Sequence, residues 1–262
     1  MHGCLRHTTP PPSVEARITY ANTLAATAKW QARTIYTPDF VFKAYAPKYR
    51  LDGKMLTIYI EGDGLAWKAV DTPSDNPTPI SPIGLKLAIR DKKHMPVVYL
   101  ARACQFVAQQ DWRACHMDYW TARRFAPAII KATNQAINSL KIQAGAKKIT
   151  LIGYSGGGTI AALVAAHRTD ILELITIAAP LDINYWVRQK SLTPLYGSLN
   201  PADAVKTLAA IPQVHWVGGR DTVVPKEVAF AYVKRFPSAK KPTIKIIPSF
   251  NHHCCWAKNW AP

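Results

Sequence analysis

The segment that most constrains the fold of this chain runs from residue 147 to residue 168. It opens with an apolar stretch typical of a buried strand and closes with small apolar residues typical of a helix. Between them stands Gly153-Tyr154-Ser155-Gly156-Gly157, which is a Gly-x-Ser-x-Gly sequence. A strand, a sharp turn and a helix around this sequence form a nucleophile elbow, which exposes the serine hydroxyl. We therefore predict that Ser155 is a nucleophile.

The glycines of this turn have a steric reason to be there. We expect the strand and the helix to pass so closely at Gly153 and Gly157 that a β-carbon would not fit. The alternative is an ordinary glycine-rich turn that binds an anion at the N-terminus of the helix. The strand and the helix on either side of the turn favour the nucleophile elbow.

The length and composition indicate one sizeable globular domain. The chain has 262 residues, of which 48% are hydrophobic and 19% are charged, so it can bury a substantial core. No stretch approaches the ~18 uninterrupted apolar residues that span a bilayer. We expect a leader and a short helix over residues 1–29, and one domain over residues 30–262 with a small excursion near residues 182–201.

The pattern of elements predicts an α/β fold with a mostly parallel central sheet and helices on both faces. Besides the strand and helix around Ser155, strands are predicted at residues 32–36, 40–46, 56–60, 96–101, 172–178, 214–217 and 243–247. Helices are predicted at residues 16–29, 83–90, 121–145, 202–210 and 226–235. No internal repeat is evident in the sequence.

The chain carries a formal net charge of +17 at pH 7. Such a charge fits a generically basic surface, and it also fits attraction to an anionic membrane surface. Nucleic acid is not an expected partner, because the basic residues are scattered and no zinc-finger, RNA-recognition or helix-turn-helix signature accompanies them.

Five cysteines occur in the chain, at positions 4, 104, 115, 254 and 255, and none forms a Cys-x-x-Cys pair. Zinc is therefore not expected, and the sequence predicts no metal and no cofactor. Cys104 and Cys115 suit a disulfide that closes a short loop, which would imply an oxidising compartment. Cys254 and Cys255 could be reduced thiols, a vicinal bridge, or partners of the other cysteines.

A nucleophilic serine needs a histidine to accept its proton and a carboxylate to orient that histidine. In α/β-hydrolases they follow in the order serine, acid, histidine. Asp221 comes directly after a predicted strand, and Asp182 is the competing acid. Two adjacent histidines follow the last strand, and we favour His252 over His253 as the base.

Backbone N–H groups are expected to bind the oxyanion that serine attack creates. The candidates are the N–H of Gly156, directly after the nucleophile, and the N–H of Asp63, in the glycine turn after the strand at residues 56–60. The Asp63 carboxylate is expected to point away and to tie down its loop. Trp67, Trp120 and Tyr154 are candidates to line an apolar substrate pocket, and packing in the core is the alternative for each of them alone.

The chain resembles the α/β-hydrolase superfamily over roughly residues 30–260, and within it a group of bacterial, often lipoprotein-type hydrolases of unassigned substrate. The strings that carry the resemblance are Tyr59-Ile60-Glu61-Gly62-Asp63-Gly64-Leu65-Ala66-Trp67, Cys104-Gln105-Phe106-Val107, Tyr119-Trp120, Gly153-Tyr154-Ser155-Gly156-Gly157-Gly158, Ser198-Leu199-Asn200-Pro201-Ala202-Asp203 and His252-His253-Cys254-Cys255-Trp256.

This resemblance adds expectations to those drawn from the residues. The group's pattern is His-x-Cys-Cys-Trp, in which the position of His252 is catalytic. The group usually has a lipidated cysteine near its N-terminus, which Cys4 could match, although the apolar signal before it is missing. The resemblance thus implies a hydrolase of the cell envelope or periplasm.

The sequence as a whole predicts a serine hydrolase that cleaves carboxylic esters through an acyl-enzyme, acting on a small-molecule or lipid-like acyl substrate. Thioesterase, lipase and peptidase are variants of the same chemistry. A second hypothesis is a non-catalytic protein that binds the cell envelope on a hydrolase scaffold. The sequence makes no prediction of the oligomeric state.

Overall fold

The computed structural model describes residues 10–48, 54–69 and 71–260. The expected modification at Cys4 lies outside the described residues. None of the helices within these ranges combines the length and the apolar composition that a bilayer-spanning helix needs.

The described residues form one eight-stranded sheet with the order β1-β2-β4-β3-β5-β6-β7-β8. The strands are β1 (Trp30–Tyr36), β2 (Val41–Pro47), β3 (Met55–Ile60), β4 (Val97–Leu100), β5 (Lys148–Tyr154), β6 (Ile171–Ile177), β7 (Gln213–Gly218) and β8 (Thr243–Ile247). Strand β2 runs antiparallel to β1 and β4, and every other pairing is parallel. The prediction of a mostly parallel sheet is confirmed.

Helices cover both faces of this sheet. They are α1 (Val14–Thr27), α2 (Ile83–Arg90), α3 (Pro127–Ala144), α4 (Gly156–Ala165), α5 (Ile183–Gln189), α6 (Val205–Leu208) and α7 (Lys226–Lys234). Side chains alternate between the faces along β3: Leu56, Ile58 and Ile60 belong to one core cluster, with α3 and α4. Tyr59 belongs to the other cluster, with α1 and α2. The central strands are therefore buried on both sides, as a parallel sheet requires.

Two predicted helices differ from the observed ones. The helix predicted to begin at residue 121 begins at Pro127, which occupies the first helical turn where a missing N–H costs nothing. Residues 121–125 instead form turns, which follow a 3₁₀ helix at Met117–Trp120.

The helix predicted over residues 202–210 is a 3₁₀ turn, Pro201–Asp203, followed by the short α6. The Asn200 side chain favours the tight turn because it accepts hydrogen bonds from the N–H groups of Ala202 (3.3 Å) and Ile183 (2.9 Å). Gln213 Nε2 donates to the Leu208 carbonyl at 2.8 Å, which satisfies the end of α6.

Of the two disulfides among the described residues, one was predicted outright, and the other was one of several alternatives. Cys104 and Cys115 form a disulfide with a Cα–Cα distance of 5.7 Å, as expected for a loop-closing bridge. Of the three alternatives for Cys254 and Cys255, the structure has the vicinal bridge, across a cis peptide bond.

Strand β5 and helix α4 meet at two glycines. A β-carbon at Gly153 would overlap the backbone of Gly157 and Gly158, and one at Gly157 would overlap the carbonyl oxygens of Ile60 and Glu61. The obstacles are main-chain atoms that cannot rotate away, so the expectation that a β-carbon would not fit is confirmed.

Gly157→Ala is expected to lower the free energy of unfolding by about 3 kcal/mol, because the new methyl group must displace strand β3. Gly145→Ala is the matched control. Gly145 ends α3 at φ 64° with open space around its Cα, so alanine there costs only about 1 kcal/mol of backbone strain. Urea unfolding of both variants measures the difference, and equal losses would contradict this steric account.

Candidate active site

Ser155 lies at the carboxyl end of β5, in the turn that leads into α4. Its backbone has φ 50° and ψ −128°, a conformation that residues with a side chain rarely adopt. The turn is held by the Ser155 N–H, which donates to the Ile177 carbonyl at 2.8 Å, and by the Ser155 carbonyl, which accepts from Gly158 at 2.9 Å. Such strain persists only where the surroundings enforce it, and it is common at functional sites.

His252 lies opposite Ser155, and Asp221 lies behind His252. The distance from Ser155 Oγ to His252 Nε2 is 3.0 Å, and that from His252 Nδ1 to Asp221 Oδ2 is 2.8 Å. The carboxylate of Asp221 is buried, and its other oxygen accepts from the N–H groups of Val223 (2.9 Å) and Val224 (2.8 Å). These donors fix the carboxylate so that Oδ2 faces the imidazole.

The loop after β8 places His252 at this position. The Asn251 side chain accepts from the N–H groups of His253 (2.9 Å) and Cys254 (2.7 Å), and the Asn251 carbonyl accepts from the buried Trp256 at 3.0 Å. The Tyr154 hydroxyl donates to the His252 carbonyl at 2.8 Å. The loop is thus anchored to the residue that precedes the serine.

The two competing residues lie elsewhere. Asp182 caps α5 by accepting from the Tyr185 N–H at 3.0 Å, and it pairs with Arg235 at 2.8 Å. His253 is exposed, with Nδ1 3.5 Å from the Tyr154 hydroxyl. Partial burial and the neighbouring His252 lower the pKa of His253. The structure therefore brings Asp221 and His252 to Ser155, and leaves Asp182 and His253 outside this chain of hydrogen bonds.

Two backbone N–H groups beside Ser155 have no acceptor among the described residues, those of Gly156 and Asp63. Gly156 is the first residue of α4, where N–H groups lack intrahelical partners. Gln105 Nε2 donates to the Gly62 carbonyl at 3.0 Å and so fixes the peptide that carries the Asp63 N–H. These donors are free to bind an oxyanion.

The Asp63 side chain ties down its loop, as expected, but it does not point away from Gly156. A β-carbon on Gly156 would overlap the Asp63 carboxylate. The carboxylate can lie here because it forms ion pairs with Arg102 and, at 2.7 Å, with Arg124. Burial disfavours the charged form, but the two arginines outweigh it and hold the pKa of Asp63 below its ordinary value.

The sequence reasoning did not find these supporting residues. Arg102 comes just after β4, and polar groups at the carboxyl ends of parallel strands are the signal that could have revealed it. Arg124 gave no such signal, because it lies in the segment that was predicted to be a helix.

Asp63→Asn is expected to lower the free energy of unfolding by about 3 kcal/mol at pH 7, because two buried guanidinium groups lose their counter-charge. The folded pKa of Asp63 is lower than the unfolded one, so its ionised form stabilises the fold above about pH 4 and this contribution is lost as the pH falls further. Urea unfolding of both proteins from pH 7 to pH 2.5 should show the difference shrinking below about pH 4.

The control for this prediction is Asp75→Asn, which breaks the exposed pair of Asp75 with Lys68. Little change in stability is expected there. A loss at Asp63 that is independent of pH would show that the carboxylate's charge is not what stabilises the loop.

Ser155 opens into a cavity of about 690 Å³. Its lining includes Trp67, Tyr154 and His252, and also Trp186 and Leu192 from the segment after β6. The other lining side chains include His253, Leu65, Ile80, Ile83 and Val223. This wall is mostly apolar, which suits a hydrocarbon chain.

The structure does not bring Trp120 to this cavity. Its side chain is buried in the core, where Nε1 donates to the Ser74 carbonyl at 2.9 Å and the ring packs on Trp112. Trp120 can be buried in the core because the indole N–H has a hydrogen-bond acceptor there.

Ser155, His252 and Asp221 are arranged as acyl transfer through a serine requires. With Asp221 accepting from Nδ1–H, the Nε2 atom of His252 is left to accept the Ser155 proton. In the described ranges no three His, Cys, Asp or Glu side chains cluster as a metal site would need.

No protein-family model matches the chain, and no curated protein matches its sequence. Solved structures match its fold. An α/β serine hydrolase homologue from Coxiella burnetii is 18% identical, with a TM-score of 0.57 over 85% of this chain and 88% of its own.

Two further structures are similar to the same extent. Est1E from Butyrivibrio proteoclasticus is 17% identical, with a TM-score of 0.57 over 87% of this chain and 93% of its own. An esterase from Pyrococcus furiosus is 14% identical, with a TM-score of 0.56 over 86% of this chain and 82% of its own. The strand order, the helices on both faces and the serine turn after β5 agree with these likenesses, and the chain has the α/β-hydrolase fold.

Proposed function

We propose that this protein is a serine hydrolase that cleaves carboxylic esters through an acyl-enzyme. The observation that carries the proposal is the continuous path from Ser155 Oγ through His252 to Asp221, with distances of 3.0 and 2.8 Å, at the base of a largely apolar cavity. Esterases and serine hydrolases among the similar structures agree with this chemistry.

In the first half-reaction, His252 Nε2 takes the hydroxyl proton as Ser155 Oγ attacks the ester carbonyl. The N–H groups of Gly156 and Asp63 bind the oxyanion of the tetrahedral intermediate. His252 then gives the proton to the departing alcohol, and the acyl group remains on Ser155.

In the second half-reaction, a water molecule donates a proton to His252 and attacks the acyl-enzyme. The same N–H groups bind the second oxyanion, and the carboxylic acid leaves with Ser155 reprotonated. Asp221 holds the imidazole in one tautomer throughout and stabilises its protonated form.

We also propose that the protein acts in the cell envelope or periplasm. The Cys104–Cys115 disulfide supports this location, because such bridges persist in oxidising compartments. The net charge of +17 supports contact with an anionic membrane surface.

The test is turnover of 4-nitrophenyl esters with acyl chains of two to twelve carbons, alongside the matching thioesters and a peptide anilide. We expect ester hydrolysis with an optimum in chain length, and its loss in Ser155→Ala. Absence of turnover on the whole panel, together with salt-sensitive binding to anionic vesicles, would instead support a non-catalytic envelope-binding protein.

A further inference from the structure

Arg124 is largely buried at the wall of the cavity, and one of its N–H₂ groups has no acceptor among the described residues. Its side chain is 9% exposed. Nε donates to the Thr121 carbonyl at 2.6 Å, and Nη1 donates to Asp63 Oδ2 at 2.7 Å. Nη2 donates to no group in the described part of the chain and is accessible from the cavity that contains Ser155, which Arg124 lines. A guanidinium in a cavity wall with a free N–H₂ group can bind an anion.

Arg124 shares its ion-pair partner with a second arginine. Arg102 and Arg124 share the single carboxylate of Asp63, so their group carries one excess positive charge. The neighbouring Glu61 forms no ion pair with either arginine in the described part of the chain. Its oxygens are engaged by the N–H of Gly84 (3.0 Å) and the hydroxyl of Tyr99 (3.0 Å).

Arg124 also lies between two cavities. A second cavity of about 490 Å³ adjoins the first, since both are lined by Trp67, Arg124, Trp186 and Leu192. Asp63 links Arg124 to the reaction centre, because its carboxylate contacts Arg124 while its N–H is the proposed oxyanion donor. Because Arg124 and Ser155 line the same cavity, one substrate molecule can contact both.

We propose that Arg124 binds an anionic group of the substrate, so that the preferred substrates are esters that also carry a carboxylate or a phosphate. This rests on the proposed function and specifies its substrate class. The apolar walls of the two cavities hold the hydrocarbon part, and the anionic group adds a negative charge beside Arg124, which shares the Asp63 carboxylate with Arg102.

Two pairs of substrates test this, one for each anion, and the members of a pair share the same ester and differ in the anionic group. 4-Nitrophenyl hydrogen glutarate is compared with 4-nitrophenyl pentanoate, and 1-butanoylglycerol 3-phosphate with 1-butanoylglycerol. We expect kcat/KM to favour the charged member of at least one pair, and the pair identifies which anion is used. Equal kcat/KM within both pairs, or preference for both neutral members, would overturn the proposal.

Arg124→Gln should remove this preference by lowering kcat/KM for the charged ester about 10- to 100-fold, the size of one lost charge-assisted hydrogen bond. Neutral ester turnover should fall much less, because Arg102 still holds Asp63. Arg124→Lys should restore part of the preference. Arg123→Gln is the control, since Arg123 is exposed outside both cavities and its loss changes the net charge equally. A preference that survives Arg124→Gln, or that Arg123→Gln also removes, would overturn the proposal.

A binding measurement separates this proposal from the proposed function. Calorimetric titration of Ser155→Ala protein with each member of the two pairs needs no turnover. Tighter binding of a charged ester, lost in the Ser155→Ala/Arg124→Gln double variant, would support the anion site even if no ester is hydrolysed. Equal binding of charged and neutral esters would overturn it even if the protein is an active esterase.

Discussion

His252→Ala is expected to lower kcat for ester hydrolysis by about 10⁴- to 10⁶-fold, the loss that follows removal of the base from a serine triad. The reason is geometric: among the histidines that the structure describes, only His252 places a ring nitrogen 3.0 Å from Ser155 Oγ while its other nitrogen bonds a buried carboxylate. Initial rates on a short-chain 4-nitrophenyl ester, divided by the concentration of folded protein, measure the effect.

His253→Ala is the matched control, because it removes the same side chain one residue away. The His253 ring lines the cavity and lies against the Tyr154 hydroxyl and the His252 imidazole, away from Ser155 Oγ. Its loss should change kcat less than about tenfold, the scale of a non-catalytic contact. Comparable losses in the two variants, or a larger loss at His253, would mean that the base has been assigned to the wrong histidine.

Asp221→Asn is expected to lower kcat by about 10⁴-fold while the protein stays folded. The N–H groups of Val223 and Val224 require an acceptor, so the asparagine oxygen should face them. Its NH₂ group would then face His252 Nδ1 as a donor and stabilise the tautomer that carries the proton on Nε2. In that tautomer His252 cannot accept the proton of Ser155.

Asp182→Asn is the control, because it makes the same substitution at an aspartate that does not contact His252. Asp182 caps α5 and pairs with Arg235, so its replacement should lower the free energy of unfolding rather than kcat. Rates and urea unfolding curves for both variants provide the comparison. A collapse of kcat in Asp182→Asn with normal stability would reverse the assignment of the acid.

The elements that carry the site could be predicted because their sequence signals are local. Strand β5 is buried from Ile149 to Tyr154 and mostly apolar, Gly153 and Gly157 meet main-chain atoms, and β8 was predicted with its observed bounds. Chain order then placed Asp221 and His252 after parallel strands, whose carboxyl ends meet at one edge of the sheet.

The remaining features depend on contacts between distant segments, which a single sequence does not display. Asp63, Arg102 and Arg124 come from three separate loops and meet only in the folded protein. Trp120 was predicted at the pocket because aromatic residues are common there, but its N–H found a partner in the core. Local pattern thus located the reacting groups, whereas the residues that surround them required the structure.

The most direct test of the central claim is covalent labelling with a fluorophosphonate probe, which reacts with an activated serine. The peptide between Lys148 and Arg168 contains Ser155 and no other serine, so tryptic mass spectrometry can assign the modified residue. We predict one adduct per molecule, on Ser155, and none in Ser155→Ala. Labelling that persists in Ser155→Ala, or wild-type protein that takes up no probe, would contradict the assignment of Ser155 as the nucleophile.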